Sequence, residues 1–203
     1  MTINLKNFLN PKVRMSKMKE FQELSPIAGL EIAATSADLY GDGRDDLSLF
    51  YFPRGANFAS IYTKSKITSA SINWNLRLKR HFIKALFVNT KNANTCTGEK
   101  GLLGLKEISK VLSKALTLKA AQTPGGIHDT IKYNEILFAS TGVIGEEFPT
   151  QKIKNNLNFL VKKLRTVKSK YVWFKTASAI MTTDTRPKLA YEECKIGNKI
   201  IKL

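Results

Sequence analysis

Residues 140–145 read Ser-Thr-Gly-Val-Ile-Gly and follow a short apolar run, Glu135-Ile136-Leu137-Phe138-Ala139. The run has the length and composition of a buried strand, so the hexapeptide stands at a strand tip. A tip written Ser-Thr-Gly presents a hydroxyl and bare backbone amides. Gly142 and Gly145 carry no Cβ, which lets backbone approach a bound group closely. Two readings fit these residues. One is a polar turn between a strand and a helix. The other is an oxyanion hole, in which fixed donors face a carbonyl oxygen as it gains charge.

Outward from this stretch, helical and strand patterns interleave. Downstream, Thr150 is placed to cap a helix whose buried stripe is Ile153, Leu157, Leu160, Val161 and Leu164. Upstream, residues 101–118 put Leu105, Ile108, Leu112 and Ala115 on one helical face with lysines opposite. A loop with a Pro-Gly-Gly break spans 121–134. Earlier strands are expected at 27–34, 47–52, 57–63, 68–72 and 84–88, with a turn at Gly41-Asp42-Gly43. The polar run Asn-Thr-Lys-Asn-Ala-Asn-Thr-Cys-Thr-Gly-Glu-Lys-Gly at 89–101 is a long turn or a loop lining a site. Near the end, residues 189–195 and 198–202 are expected to pair as a hairpin through Gly197-Asn198. The pattern is α+β, with a loosely ordered lead-in over 1–26 and one domain over 27–203.

Composition narrows the function classes. The 203 residues are 43% hydrophobic and 24% charged, ordinary values for a globular chain. No apolar stretch has the length of a membrane span. The start, MTINLKNFLNPKVRMSKMKEF, lacks the apolar core of a secretory signal, although its basic character also suits an organelle presequence. The net charge of +17 invites a nucleic-acid reading. Lysines scattered at solvated helix positions, such as Lys152, Lys154, Lys162 and Lys163, argue against it, because base readout and bidentate phosphate clamps favour arginine. Cys96 and Cys194 form no CxxC pair, and His81 and His128 have no neighbouring ligands, so a metal site is not expected. Placing Asp38 first in a calcium loop leaves Tyr40 and Leu49 at ligand positions, so the acidic turn reads as a turn.

Three segments together resemble the ornithine acetyltransferase family, the glutamate N-acetyltransferases of arginine biosynthesis. They are NTKNANTCTGEKG at 89–101, STGVIGEEFP at 140–149 and AIMTTDTRPK at 179–188, with weaker agreement from Ile27 and through RDDLSLF at 44–50. The resemblance implies a layered α-β-β-α sandwich of the self-cleaving type, of which this chain is the N-terminal, α-chain part. It implies a precursor that cuts itself before an internal threonine. The freed threonine then takes an acetyl group from N-acetylornithine and passes it to glutamate, with its own terminal amine as local base. In this picture Thr141 and Gly142 are the oxyanion-hole positions and Thr182 is a substrate-binding position. Thr183 and Asp184 shape the loop, and Asn92 and Asn94 support the pocket. No cofactor or metal is implied, and acetyl-CoA is an alternative acetyl donor in bifunctional members. The implied partners are the small substrates and a β chain in an α2β2 assembly in the cytoplasm, with no nucleic acid and no membrane.

Departures from the family pattern accompany the match. Lys91 stands where the family has glycine; if positive φ is needed there, the cost is about 1 kcal/mol. Ser69-Ala70-Ser71-Ile72 replaces a proline-containing segment. The sequence stops at Leu203, short of the family's substrate-contacting lysine and cleavage-site threonine. A longer precursor, a separate second chain and an inactive paralogue are the three expectations this raises. The competing functions are a self-cleaving amidohydrolase or aminopeptidase and a basic nucleic-acid-binding protein. A lone α chain is also expected to expose apolar sheet surface.

Overall fold

The computed structural model describes residues 24, 26–78, 81–123, 130–166 and 170–202. Its elements are β1 (Glu31–Thr35), β2 (Leu47–Asn57), α1 (Ala70–Arg77), β3 (Phe82–Asn89), α2 (Gly98–Gln122), β4 (Ile136–Ser140), α3 (Thr150–Lys162), β5 (Arg165–Thr166), α4 (Lys170–Ala179), β6 (Glu193–Ile196) and β7 (Lys199–Lys202). The first five strands make one sheet, in the order β4-β3-β2-β1-β5. Strands β3 and β4 are parallel; the other pairs are antiparallel. A parallel pair needs a long crossover, and the 25-residue helix α2 supplies it.

Register explains the core. The row Ala33, Leu49, Phe87 and Phe138 runs across four strands on one face, and all four residues are buried. Leu105, Ile108, Leu112 and Leu116 of α2 and Ile153, Leu157 and Leu160 of α3 pack into the same cluster and are fully buried. Each such side chain contributes roughly 2 kcal/mol through lost apolar hydration. The opposite face carries the row Ile32, Phe50, Leu86 and Leu137. There Val172 and Trp173 of α4 pack with Ile32 and Phe50. Phe50, Leu86 and Val88 stay only half-buried and Ala139 is exposed, so apolar sheet surface is open on this side.

Four local expectations are corrected. The first strand is Glu31–Thr35 rather than 27–34. No strand occupies 58–63; β2 runs on to Asn57 instead. Residues 68–72 are not a strand: the Ser69 hydroxyl accepts from Ile72 N at 3.3 Å and caps α1. That helix is held by β4, since Trp74 Nε1 donates to Ile136 O at 2.9 Å and Asn75 Nδ2 to Phe138 O at 2.9 Å. Phe138 N returns a bond to Asn75 Oδ1 at 3.0 Å, so α1 side chains satisfy the outer edge of β4. Thr150 is the first residue of α3 rather than its cap, and its hydroxyl reaches only Phe148 O, at 3.4 Å.

The stripe expected on α3 is buried throughout, and the terminal segments form the β6–β7 hairpin, whose first strand starts at Glu193 rather than at 189. Nearly all of the lead-in over 1–26, most of the Pro-Gly-Gly loop, and His128 lie outside the described residues. No helix among the described residues is long and apolar enough to cross a membrane.

Candidate active site

Strand pairing continues past the ends of β3 and β4 and shapes the turn at 141–145. Thr141 N donates to Asn89 O at 3.1 Å and Val143 N to Lys91 O at 2.8 Å. In return Ala93 N donates to Val143 O at 2.9 Å, and Gly145 N reaches Thr95 O at 2.9 Å. Gly142 lies in the middle at φ 134°, where a Cβ would stand 2.2 Å from the Lys91 carbonyl carbon and 2.6 Å from Asn92 N. Only glycine fits there. The flanking amides are spent on the ladder, but among the described residues the Gly142 N–H and the Thr141 hydroxyl make no hydrogen bond. Two donors without partners among the described residues thus stand on adjacent residues at this strand tip.

A directed chain of hydrogen bonds fixes the residue before the turn. Ser140 Oγ donates to Asn89 Oδ1 at 2.7 Å. A hydroxyl has one proton, so the 2.6 Å contact between Ser71 and Ser140 has Ser71 as donor. Asn89, fully buried, sends its amide protons to Asn92 O at 2.9 Å and Thr90 O at 3.3 Å. Asn92 Nδ2 donates to the carbonyls of Glu146 and Glu147, both at 3.1 Å, and its Oδ1 accepts from Asn94 N at 2.7 Å. Asn94 ties this loop to α2 through Gly101 O at 3.3 Å and accepts from the Thr97 hydroxyl at 2.8 Å. The asparagines thus brace the tip and do not face it.

Lys91 adopts φ 72°, the left-handed conformation in which glycine is unstrained. Its amide is held by Tyr40 Oη at 3.0 Å, and the Arg44 guanidinium lies 3.3 Å over the Tyr40 ring. Asp46 anchors the same loop: its carboxylate accepts from Ala37 N and Leu39 N, both at 2.7 Å, while its carbonyl accepts from Thr90 N at 2.9 Å. Burial raises the Asp46 carboxyl above its ordinary range, partly opposed by those two amides. Ser71 and Tyr40 carry no functional signal in the sequence, whereas Asn89 opens the 89–101 motif and Asp46 lies in the weaker 44–50 match, neither marked as a brace. The partners of Ser71, Tyr40 and Asn89, namely Ser140, Lys91 and Ser140, lie 51 to 69 residues away, and only the paired sheet brings them together.

Thr182 lies in the turn after α4. Along α4, Trp173 packs by Ile32 and Lys175 pairs with Asp45 at 3.3 Å, just before β2. Lys175 thus ties α4 to the segment that leads into β2. No hydrogen bond links Thr182 to Thr141 or Gly142 among the described residues. Asp184 accepts from the Thr182 amide and from Lys188 Nζ. The Lys188 ammonium, first by its hydrogen bond and then by its charge, holds the Asp184 carboxyl below the usual range. A cavity of about 300 Å³ opens beside Gly145, Glu146 and Cys96, and neither Thr141 nor Thr182 lines it. Among the described residues no His, Cys, Asp and Glu group is placed to hold a metal ion.

The mixed sheet and its helix-linked parallel pair define an α+β protein, and its β4 tip carries two donors without hydrogen-bond partners among the described residues. The chain belongs to the ArgJ family, whose profile matches residues 31–203. It is 33% identical over 193 residues to the arginine biosynthesis bifunctional protein ArgJ of Bartonella quintana, covering 95% of this chain and 43% of that protein. The Rhizobium meliloti protein of the same name is 34% identical over 180 residues, or 88% of this chain and 40% of that one. The chain thus spans about two fifths of the length of the curated relatives it matches. Two solved structures share the fold. The Mycobacterium tuberculosis ornithine acetyltransferase complexed with ornithine aligns at TM-score 0.68 and 23% identity, over 83% of this chain and 81% of that one. The Bacillus halodurans ArgJ protein aligns at TM-score 0.70 and 21% identity, over 90% of each.

Proposed function

We propose that this chain forms the oxyanion-binding half of an acyltransferase that moves an acetyl group from N2-acetylornithine to glutamate in arginine biosynthesis. Thr141 and Gly142 hold the oxygen of the tetrahedral intermediate, and Thr182 binds substrate. The observation that carries this reading is a pair of donors unspent among the described residues, the Thr141 hydroxyl and the Gly142 N–H, on a backbone path only glycine allows. The nucleophile is a threonine of a β part, freed by self-cleavage, and acetyl transfer follows a ping-pong course without a bound cofactor. Acetyl-CoA serves as a second donor if the enzyme is bifunctional. The half-open apolar rows around Phe50 and Leu86 suit burial against that β part, in an α2β2 assembly in the cytoplasm.

The test pairs this chain with the C-terminal part of the Bartonella quintana relative that lies beyond the match. The complex is expected to transfer acetyl from N-acetylornithine to glutamate, and the chain alone is not. Thr141→Ala should lower kcat about 100-fold, the loss of one oxyanion donor. Release of free acetate without transfer would point to a hydrolase instead. Full activity of Thr141→Ala, or robust transfer by this chain alone, would refute the assignment.

A further inference from the structure

A cavity lies at the other end of β4 from the Thr141 turn. Its volume is about 680 Å³, within the range of small-molecule sites. Seven residues separate Asn134 at this cavity from Thr141, which at strand rise is roughly 20 Å. Lys110 and Lys114 of α2 and Lys132 of the facing segment line it, and among the described residues that line it none is acidic. Lysines four apart on one helix face repel each other. Elsewhere such charges are answered: Lys119 pairs with Glu31 at 3.0 Å and Lys154 with Glu107 at 2.8 Å. Among the described residues the three cavity lysines have no carboxylate partner.

Between the lysines the lining is apolar, from Leu118, Ile131 and the Tyr133 ring. The wall is also braced. The Thr117 hydroxyl donates to Ser113 O at 2.9 Å and accepts from Ile131 N at 3.0 Å, while Glu135 Oε2 holds Lys132 N at 3.0 Å.

We propose that this cavity binds a small organic anion, a phosphate or carboxylate joined to a flat apolar body. The anion is met by Lys110, Lys114 and Lys132, and the body lies against Leu118, Ile131 and Tyr133. The site is separate from the Thr141 turn, and the proposal does not rest on the acyltransferase reading. Phenyl phosphate, benzoate and inorganic phosphate are titrated into the 203-residue chain, followed by backbone amide NMR. The expected result is saturable binding of at least one aromatic anion, tenfold or more tighter than inorganic phosphate. Shifts should be confined to residues 110–118 and 130–134, and the tighter of the two aromatic anions identifies the headgroup. The double variant K110E/K114E should weaken binding at least tenfold. The charge-matched variant K195E/K199E, on the distant hairpin, should leave it within twofold. Equal weakening by both variants would reduce the effect to net charge and overturn the proposal. So would inorganic phosphate binding as tightly as the aromatic anions, shifts centred on 141–145, or no saturable binding at 10-fold the concentration expected for a millimolar site.

Discussion

Gly142→Ala is the sharpest test of how the turn is built. The backbone there has φ 134°, a region essentially reserved for glycine, which costs alanine about 2 kcal/mol. The new methyl would stand 2.3 Å from Lys91 O, a backbone atom that cannot rotate aside. The two strand extensions must separate, which loses Val143 N to Lys91 O and Ala93 N to Val143 O. At about 1 kcal/mol each, these bring the total to roughly 4 kcal/mol. Gly145→Ala is the internal control. It also has positive φ, 83°, but nothing lies within 4 Å of its added Cβ, so the expected cost is about 1 kcal/mol. With a urea slope of about 2 kcal/mol/M, the midpoints should fall by about 2 M and 0.5 M respectively. Amide exchange at Val143 should quicken in the first variant only. Equal midpoint shifts for the two variants would refute the claim that close approach by Lys91 backbone makes glycine obligatory.

Other expectations follow from the same contacts. Asp46→Asn puts an amide donor against a backbone N–H that now meets a carboxylate, and should cost about 2 kcal/mol by thermal unfolding at pH 7. The folded chain holds the Asp46 proton more tightly than the unfolded chain does. The stability this group contributes therefore falls as pH rises from 3.8 through its raised value and is flat above. The difference between wild type and Asp46→Asn, followed by unfolding from pH 3.5 upward, should shrink with that sign. A gap that widens over that range would contradict the assigned shift. Asn75→Leu strands both the N–H and the C=O of Phe138 on the edge of β4, for an expected loss of about 3 kcal/mol in denaturant titration. Ser69→Ala should cost about 1 kcal/mol in the same assay, and Ser69→Gly only a few tenths. Lys91→Gly relieves positive-φ strain of about 1 kcal/mol but loosens the unfolded chain by a similar amount. Its stability should stay near wild type, whereas Lys91→Val should lose more than 1 kcal/mol.

Much of the fold was legible because it rests on local patterns. The stripes Leu105–Ile108–Leu112 and Ile153–Leu157–Leu160 repeat at helical spacing, and both bury as read. The β4 run and the Gly197-Asn198 hairpin are equally self-contained signals. At 68–72 the reading failed because Thr-Ser-Ala-Ser-Ile has no strong preference of its own. Its state depends on Trp74 and Asn75 finding the open edge of a strand more than 60 residues later. The candidate site divides the same way. Thr141 and Gly142 stand out as a Ser-Thr-Gly tip, while the bonds that Asp46, Asn89 and Ser71 make become legible only when the sheet is assembled.

By itself, then, the sequence determined the helices, the strand that carries the tip, and the resemblance of its motifs. Those are properties of residues near one another, where period and turn chemistry act. Only the tertiary structure decided that Gly142 tolerates no Cβ, that Lys91 must take a left-handed backbone, and that the Gly142 N–H is left unspent among the described residues. These follow from the parallel register of β3 and β4, a pairing across a 25-residue helix. No local pattern encodes such a register, because its energy is realised only when the two strands meet.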